Sequence, residues 1–369
     1  MGRLYNGAES GALHRIAMVP SQTSRPAFEG PAHRRQQRWS LRCALGVLAA
    51  ALLFEIGLRP FVADWNYPAG AVRTTRNYTE GLSVAHFEAD GPGQLGNRLT
   101  GNPPLSGAAE GLIVGDSHVA AQAVRDEQTM GAAIERLSRA AGHALNVRQY
   151  GWPSANAPTF LAAAESLLQR RNPAWVAVVL NAYNVSAQVT TSGNWRMELA
   201  PDDSFRLIEV RHPPSTGWRN TARQWAVRST LGIALWHRLG LIQNRLAPNA
   251  IAEQVHGSEA NARVLRATVL GLKKAYGERL LIVYTPSLLG AGHISVEPTE
   301  TEVQRLCAEE RVACLFVGAA LEQDRIEHFR LSRGFHNTAP GVGHFNALGH
   351  RIIGEEVWRY LSAHPSTPR

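Results

Sequence analysis

GLIVGDSHVAAQ, residues 111–122, is the stretch on which the fold turns. An apolar run reaches Val114, breaks at Gly115-Asp116-Ser117-His118 and gives way to small residues at helical spacing, the pattern of a strand that turns directly into a helix. Ser117 then stands at a strand's carboxyl end and a helix N-terminus, where unbonded backbone N–H groups and the helix dipole favour a developing oxyanion. The same residues also read as ordinary helix caps, since Asp116 and Ser117 are of the type that accepts from the first free amides.

Outward from this point, short apolar runs alternate with longer segments of helical period. Strands are expected at 112–115, 145–150, 175–180, 280–284 and 314–317, and helices at 128–141, 159–170, 260–275, 300–310 and 347–361. Such alternation predicts an α/β fold of three layers, a parallel five-stranded sheet between helices, with its ligand at the carboxyl ends of the strands. The domain is expected over 109–365, interrupted by an insertion at about 186–256. Trp195, Trp218, Trp225 and Trp236 of that insertion suit either a small local core or a carbohydrate platform.

Upstream, residues 61–108 are rich in Gly, Pro, Asn and Thr without sustained period and read as a stalk or cap. Before them lies CALGVLAAALLFEIGL, residues 43–58, preceded by Arg34, Arg35, Arg38 and Arg42. We expect a transmembrane signal anchor over 43–60 in preference to a core helix or a cleaved signal peptide, with the basic arm 1–42 in the cytoplasm. The domain then lies in the periplasm of a bacterium. That arm holds seven arginines against two glutamates, so most of the net charge of +8 belongs to it. The rest is dilute, which argues against nucleic acid as a partner. Of three cysteines, Cys43 sits in the apolar run, while Cys307 and Cys314 suit either one disulfide or two buried thiols.

The second informative stretch is GVGHFNALGHRIIGEEV, residues 341–357, where His344 precedes a helix and Asn346, Gly349 and His350 follow closely. GDSH near the start of an α/β domain and HFNALGH near its end resemble the SGNH hydrolase (GDSL-like) family, whose fold is flavodoxin-like. FEIGLR (54–59), GNRLTG (96–101) and DEQTMGAAIE (126–135) resemble membrane-anchored members of that group. The resemblance implies Ser117 as nucleophile and His344 as general base. It implies an oxyanion hole of the Ser117 amide, a backbone amide within QYGWPS, at Ser154 or in the alternative register Gly151, and an asparagine within LNAYNV, Asn184 first and Asn181 second. Asp116, His118 and Asn346 are supporting candidates, His118 as a residue lining the pocket.

The sequence departs from that pattern at one place of consequence. The family's aspartate two or three residues before the histidine is replaced by Val342 and Gly341, and Val185 stands where an aspartate often follows the asparagine. Asp324 or Glu322 would have to orient His344 instead; otherwise the chain is a slow dyad or an inactive relative. His336 and His350 read as a loop residue and a packing or capping residue. No histidine pair has a metal spacing, and neither a metal nor a cofactor is expected. The implied function is a membrane-anchored periplasmic serine esterase or O-acyltransferase, acting on an acylated glycan or small acyl ester, with a membrane-bound acyl donor as a conceivable partner. The alternative is a degenerate domain that binds glycan or scaffolds envelope assembly. A nucleotide binder would need more glycine than GDSH supplies.

Overall fold

A computed structural model describes residues 31–62, 72–76, 80–81, 83–88, 96–186, 195–202, 204–210, 259–286, 296–336, 338 and 341–364. In chain order the strands are β1 (Val72–Arg76), β2 (Val84–Glu88), β3 (Asn97–Arg98), β4 (Ala109–Gly115), β5 (Leu145–Gly151), β6 (Trp175–Leu180), β7 (Trp195–Leu199), β8 (Phe205–Glu209), β9 (Leu280–Tyr284) and β10 (Ala313–Phe316). The helices are α1 (Pro31–Val62), α2 (Ser117–Ala120), α3 (Met130–Ala140), α4 (Ala157–Arg170), α5 (Glu259–Tyr276), α6 (Pro298–Glu310), α7 (Gly318–His328) and α8 (Ala347–Ala363). The chain divides into two compact units, Met1–Leu53 and Phe54–Arg369.

Five strands form the expected parallel sheet, in the order β5-β4-β6-β9-β10. β6 and β9 are buried on both faces along their whole length, and β4 over its second half, which is why these segments read as continuous apolar runs. Leu112, Val114, Val176, Val178 and Ile282 face α4, α5 and α6, packing on Phe160, Leu161, Leu265 and Leu306. Ile113, Ala177, Val179 and Val283 face α3, α7 and α8, packing on Ile134, Leu321, Ile353 and Val357. The order places the first strand, β4, between the second and third, so chain crossovers leave β4 in opposite directions. The crevice at such a switch point is where open α/β sheets hold ligands. Ser117 lies there.

Two expectations need correction. The segment 61–108 does not merely lead into the domain: β1, β2 and β3 extend the sheet antiparallel beyond β5, making eight strands. β2 alternates, burying Ala85 and Phe87, whereas β3 and the residues after it lack a hydrophobic period because their side chains are held by polar bonds. Arg98, fully buried, pairs with Asp126 and donates to the carbonyls of Ala121 and Val124, immediately after α2. Thr100 and Asn102 both donate to Glu135 of α3, at 2.6 and 2.8 Å. GNRLTG is therefore a polar seam that ties the added strands to the segment following the nucleophile.

The second correction concerns 43–60. The run forms part of α1, which begins at Pro31, and among the described residues no helix is long and apolar enough to cross a membrane. The apolar core of α1 is short and bounded by Arg42 and Glu55. Leu45, Val47, Leu48, Leu52 and Leu53 are nonetheless exposed.

Of the insertion, β7 and β8 form a hairpin whose Met197, Leu199, Phe205 and Leu207 join the core against α4 and α5. Trp218, Trp225 and Trp236 lie outside the described residues. Cys307 and Cys314 form a disulfide from the end of α6 to β10. Closing so short a loop constrains the unfolded chain by about 2–3 kcal/mol. A Cys314→Ser protein should therefore melt several degrees below the parent, and reductant should close the gap; equal melting temperatures without reductant would exclude a stabilising bond.

Candidate active site

The sharp turn after β4 puts Ser117 at the first position of α2, capped by Asp116, whose Oδ1 accepts from the His118 amide at 2.8 Å. At the other end of the domain, His344 precedes α8. Its backbone carbonyl accepts from Gly334 N at 3.1 Å, and Asn346 N donates to Ser332 O at 3.0 Å, so the segment after α7 splints the histidine. Across 227 residues of sequence, Ser117 Oγ donates to His344 Nε2 at 2.8 Å. The two residues expected to carry the chemistry are in contact.

The acid comes from neither place considered in the sequence. Gly341 and Val342 supply no carboxylate. Glu322 is bound by Arg325 and Asp324 by Arg330, both pairs at the edge of α7. Glu80, between β1 and β2, accepts from His344 Nδ1–H through Oε2. Its carboxylate is mostly buried and the imidazole is partly open to solvent. Glu80 fixes the tautomer in which Nε2 is free to take the serine proton. Nothing local in the sequence marks it, since Glu80 lies 264 residues from its partner.

Strand register shows which groups stand beside Ser117. Parallel pairing of Val114 with Val178 carries Asn181 alongside Ser117, and pairing of Gly115 with Gly151 brings Trp152–Ala155 to its other side. Trp152 N donates to Gly115 O at 3.1 Å, and Ala155 N closes a turn on Trp152 O at 3.0 Å. Pro153 and Ser154 are the central residues of that turn, and Ser154 has φ of 60°. Neither the Ser117 amide nor the Ser154 amide donates to any described residue, which leaves both free for an oxyanion.

Asn184 does not fit the role expected of it. Its Nδ2 donates to Asp116 Oδ2 at 3.0 Å and to Ala155 O at 3.0 Å, and its Oδ1 accepts from Asn181 N. The side chain is fully buried and both its donors are used. Asn184 braces the Asp116–Ser117 turn against the Ser154 turn. Asn181 donates once, to Asp116 Oδ2 at 3.1 Å, so among the described residues its second amide hydrogen is unspent. Asn181, the second candidate, is the asparagine of the pair with a donor left over. Gly151 is likewise a packing residue: a Cβ there would collide with the Ala120 amide, so its lack of a side chain is what lets α2 sit against β5.

His118 is packed behind the pair, its ring 5.1 Å from that of His344 and 4.8 Å from Phe345. Burial, reinforced by the Arg333 cation, pushes its pKa well below the usual histidine value, so it is neutral. Its Nε2 lies 3.5 Å from Arg333 Nη1. Arg333 also donates to Pro286 O at 2.8 Å and Gly343 O at 3.3 Å, and stacks 4.0 Å above the Phe345 ring. Burial lowers its pKa to about 10, with Asp116, Glu297 and Glu80 opposing the shift. It stays cationic at neutral pH and clamps the loop that carries His344. Asn346 caps α8, accepting from the Leu348 and Gly349 amides, and His350 is buried beneath it. His336 is an exposed loop residue. Among the described residues no cluster of metal-binding side chains occurs.

A residue other than glycine in the left-handed region costs about 1–2 kcal/mol. Ser154→Gly should thus raise unfolding free energy by about 1 kcal/mol in denaturant titration while leaving turnover unchanged, because only the amide is used.

Neither family models nor curated protein sequences match the chain. Among solved structures it is similar to a lipase/acylhydrolase from Enterococcus faecalis, at 13% identity and a TM-score of 0.40 over 69% of this chain and 96% of that one. An acetyl xylan esterase from Geobacillus stearothermophilus gives 14% and 0.39 over 69% and 95%. A protein of the G-D-S-L family from Desulfitobacterium hafniense gives 11% and 0.35 over 68% and 98%. At these values the case for chemistry rests on the side chains described above. GDSH and HFNALGH, the stretches that resemble the SGNH, GDSL-like group, supply the Ser117 and His344 that the fold brings into contact.

Proposed function

We propose that this protein is a serine esterase or O-acyltransferase acting on acyl, chiefly acetyl, esters of an envelope or exported polysaccharide. The observation that carries this reading is the line from Ser117 Oγ through His344 to Glu80, beside two free backbone amides. Ser117 Oγ attacks the ester carbonyl carbon as His344 Nε2 takes its proton, and Glu80 stabilises the imidazolium. The carbonyl oxygen becomes an oxyanion facing the Ser117 and Ser154 amides and the free hydrogen of Asn181. Collapse breaks the ester C–O bond, and the leaving alkoxide takes the proton from His344. Water or a sugar hydroxyl then gives His344 a proton and attacks the acyl-serine; the bond from acyl carbon to Ser117 Oγ breaks, Oγ takes the proton back from His344, and acid or new ester leaves.

The finer parts of the reading have their own support. A disulfide suits an oxidising compartment such as the periplasm. The exposed leucines of α1, with arginines on their N-terminal side, suit contact with a membrane surface. A membrane-bound acyl donor would serve the transferase branch. The non-catalytic scaffold reading drew its strength from a missing acid, and Glu80 supplies a carboxylate at His344 Nδ1.

The test is to mix the full chain with p-nitrophenyl acetate, quench within one turnover and locate the adduct by peptide mass spectrometry. An acetyl group on Ser117, absent from Ser117→Ala and passed to an added oligosaccharide, supports the transferase; transfer to water alone supports the esterase. No adduct and no release above the Ser117→Ala control returns the case to the scaffold.

A further inference from the structure

A second cleft begins beyond the histidine–glutamate pair, with a cavity volume of about 590 Å³. Its lining includes Gly81, next to Glu80, with Ser83 beyond it, and Gly334, which holds the His344 carbonyl, with Asn346 nearby. The leaving alcohol must take its proton from His344, so the alcohol side of an ester lies on the histidine side of Ser117, away from the oxyanion donors. Gly81, which follows Glu80 in sequence, and Gly334, whose amide holds the His344 carbonyl, put the rim of the cleft beside that pair.

Its chemistry is one-sided. Ser83 is committed to Gln122 O and Asn346 to capping α8. Arg125 and His336 remain exposed, Gln128 has an amide nitrogen to offer, and Phe335 contributes a ring against which a sugar face can lie. Among the described residues no carboxylate lines the cleft. Asp126, next in sequence to Arg125, is taken by Arg98 and His86, and Glu127 is not among the lining residues. Arg125 forms no ion pair with any described residue.

We infer that this cleft binds the chain of an acidic polysaccharide, with Arg125 receiving a carboxylate of a uronic acid residue. The inference rests on the esterase reading for its biological sense and names the substrate class of that site. Binding energy gathered here, remote from the reacting bond, holds the polymer while its ester reaches Ser117.

The experiment is calorimetric binding to the full-length Ser117→Ala protein, which cannot turn over, using a galacturonic acid tetrasaccharide against a neutral xylose tetrasaccharide. The acidic sugar should bind at least tenfold more tightly, and Arg125→Gln should remove about that factor, as befits one charge-assisted contact. The preference should fade as salt rises. Equal binding of the two sugars, or an Arg125→Gln protein that binds the acidic sugar as well as its parent, overturns the inference. His336→Ala is a second exposed site that spares the fold, and its effect should be smaller. Hydrolysis of p-nitrophenyl acetate by the parent protein, with Ser117 and Arg125 both intact, separates the two readings. Turnover without acidic preference sinks only the cleft; preference without turnover sinks only the esterase.

Discussion

Glu80→Gln should lower kcat/KM on p-nitrophenyl acetate by roughly 10³ to 10⁴-fold, with KM nearly unchanged, because neutralising the acid of such a triad leaves the geometry but loses the tautomer and the imidazolium's counter-charge. The amide can turn its NH₂ toward Nδ1, which then becomes the acceptor and leaves the proton on Nε2, facing Ser117. Attack is suppressed at the step where a proton must leave Oγ. Glu322→Gln and Asp324→Asn, by contrast, should leave turnover within about twofold, since their carboxylates serve Arg325 and Arg330 at the surface of α7. Steady-state kinetics of the three proteins, with circular dichroism to show that each is folded, make the comparison. A Glu80→Gln enzyme within threefold of the parent would mean that His344 needs no carboxylate, and that the contact in the structure is a surface ion pair.

The sequence reveals the parts of the site that are local and conceals those that are assembled. Ser117 is legible because a strand-to-helix break has a pattern of its own, and His344 because a histidine just before an amphipathic helix can be paired with it at the far end of an α/β domain. The parallel strands are legible because burial on both faces demands unbroken apolar runs; 175–180 and 280–284 match β6 and β9 residue for residue. Helix α7 and strands β1 to β3 were not foreseen. Helix α7 buries little more than Gly318 and Leu321 and so shows almost no apolar stripe. Of the added strands β2 buries only Ala85 and Phe87 as apolar side chains, and β3 with the residues after it buries Asn97, Arg98 and Thr100, whose partners lie elsewhere in the chain.

Glu80 was missed for the same reason. It is an ordinary glutamate before a glycine, and only the antiparallel extension of the sheet carries it to His344. Asn184 was misassigned from the opposite cause. An asparagine at the expected spacing draws attention, yet spacing cannot say that its two donors are spent on Asp116 and Ala155. The free hydrogen on Asn181 appears only once strand register sets that residue beside Ser117.

The second large effect is expected at Gly343, which touches no substrate. Its φ is 92°, where a side chain costs about 1–2 kcal/mol, and a Cβ there would stand 2.5 Å from Glu80 Oε1. The glycine between Val342 and His344 thus does two things: it turns the loop so that the imidazole meets Ser117, and it leaves room for the distant carboxylate. Gly343→Ala should unfold about 1–2 kcal/mol more easily in denaturant and lose on the order of 10²-fold in kcat/KM, the scale associated with a displacement of about 1 Å in a reacting constellation. What separates the steric account from a general disturbance is the double variant. If alanine acts by expelling Glu80, then Gly343→Ala added to Glu80→Gln removes an interaction already lost, and the pair should be hardly slower than Glu80→Gln alone. If the two losses multiply, the glycine works through the backbone placement of His344, whose carbonyl is held by Gly334 and whose preceding carbonyl is held by Arg333. The carboxylate would then be a separate contributor to the same imidazole.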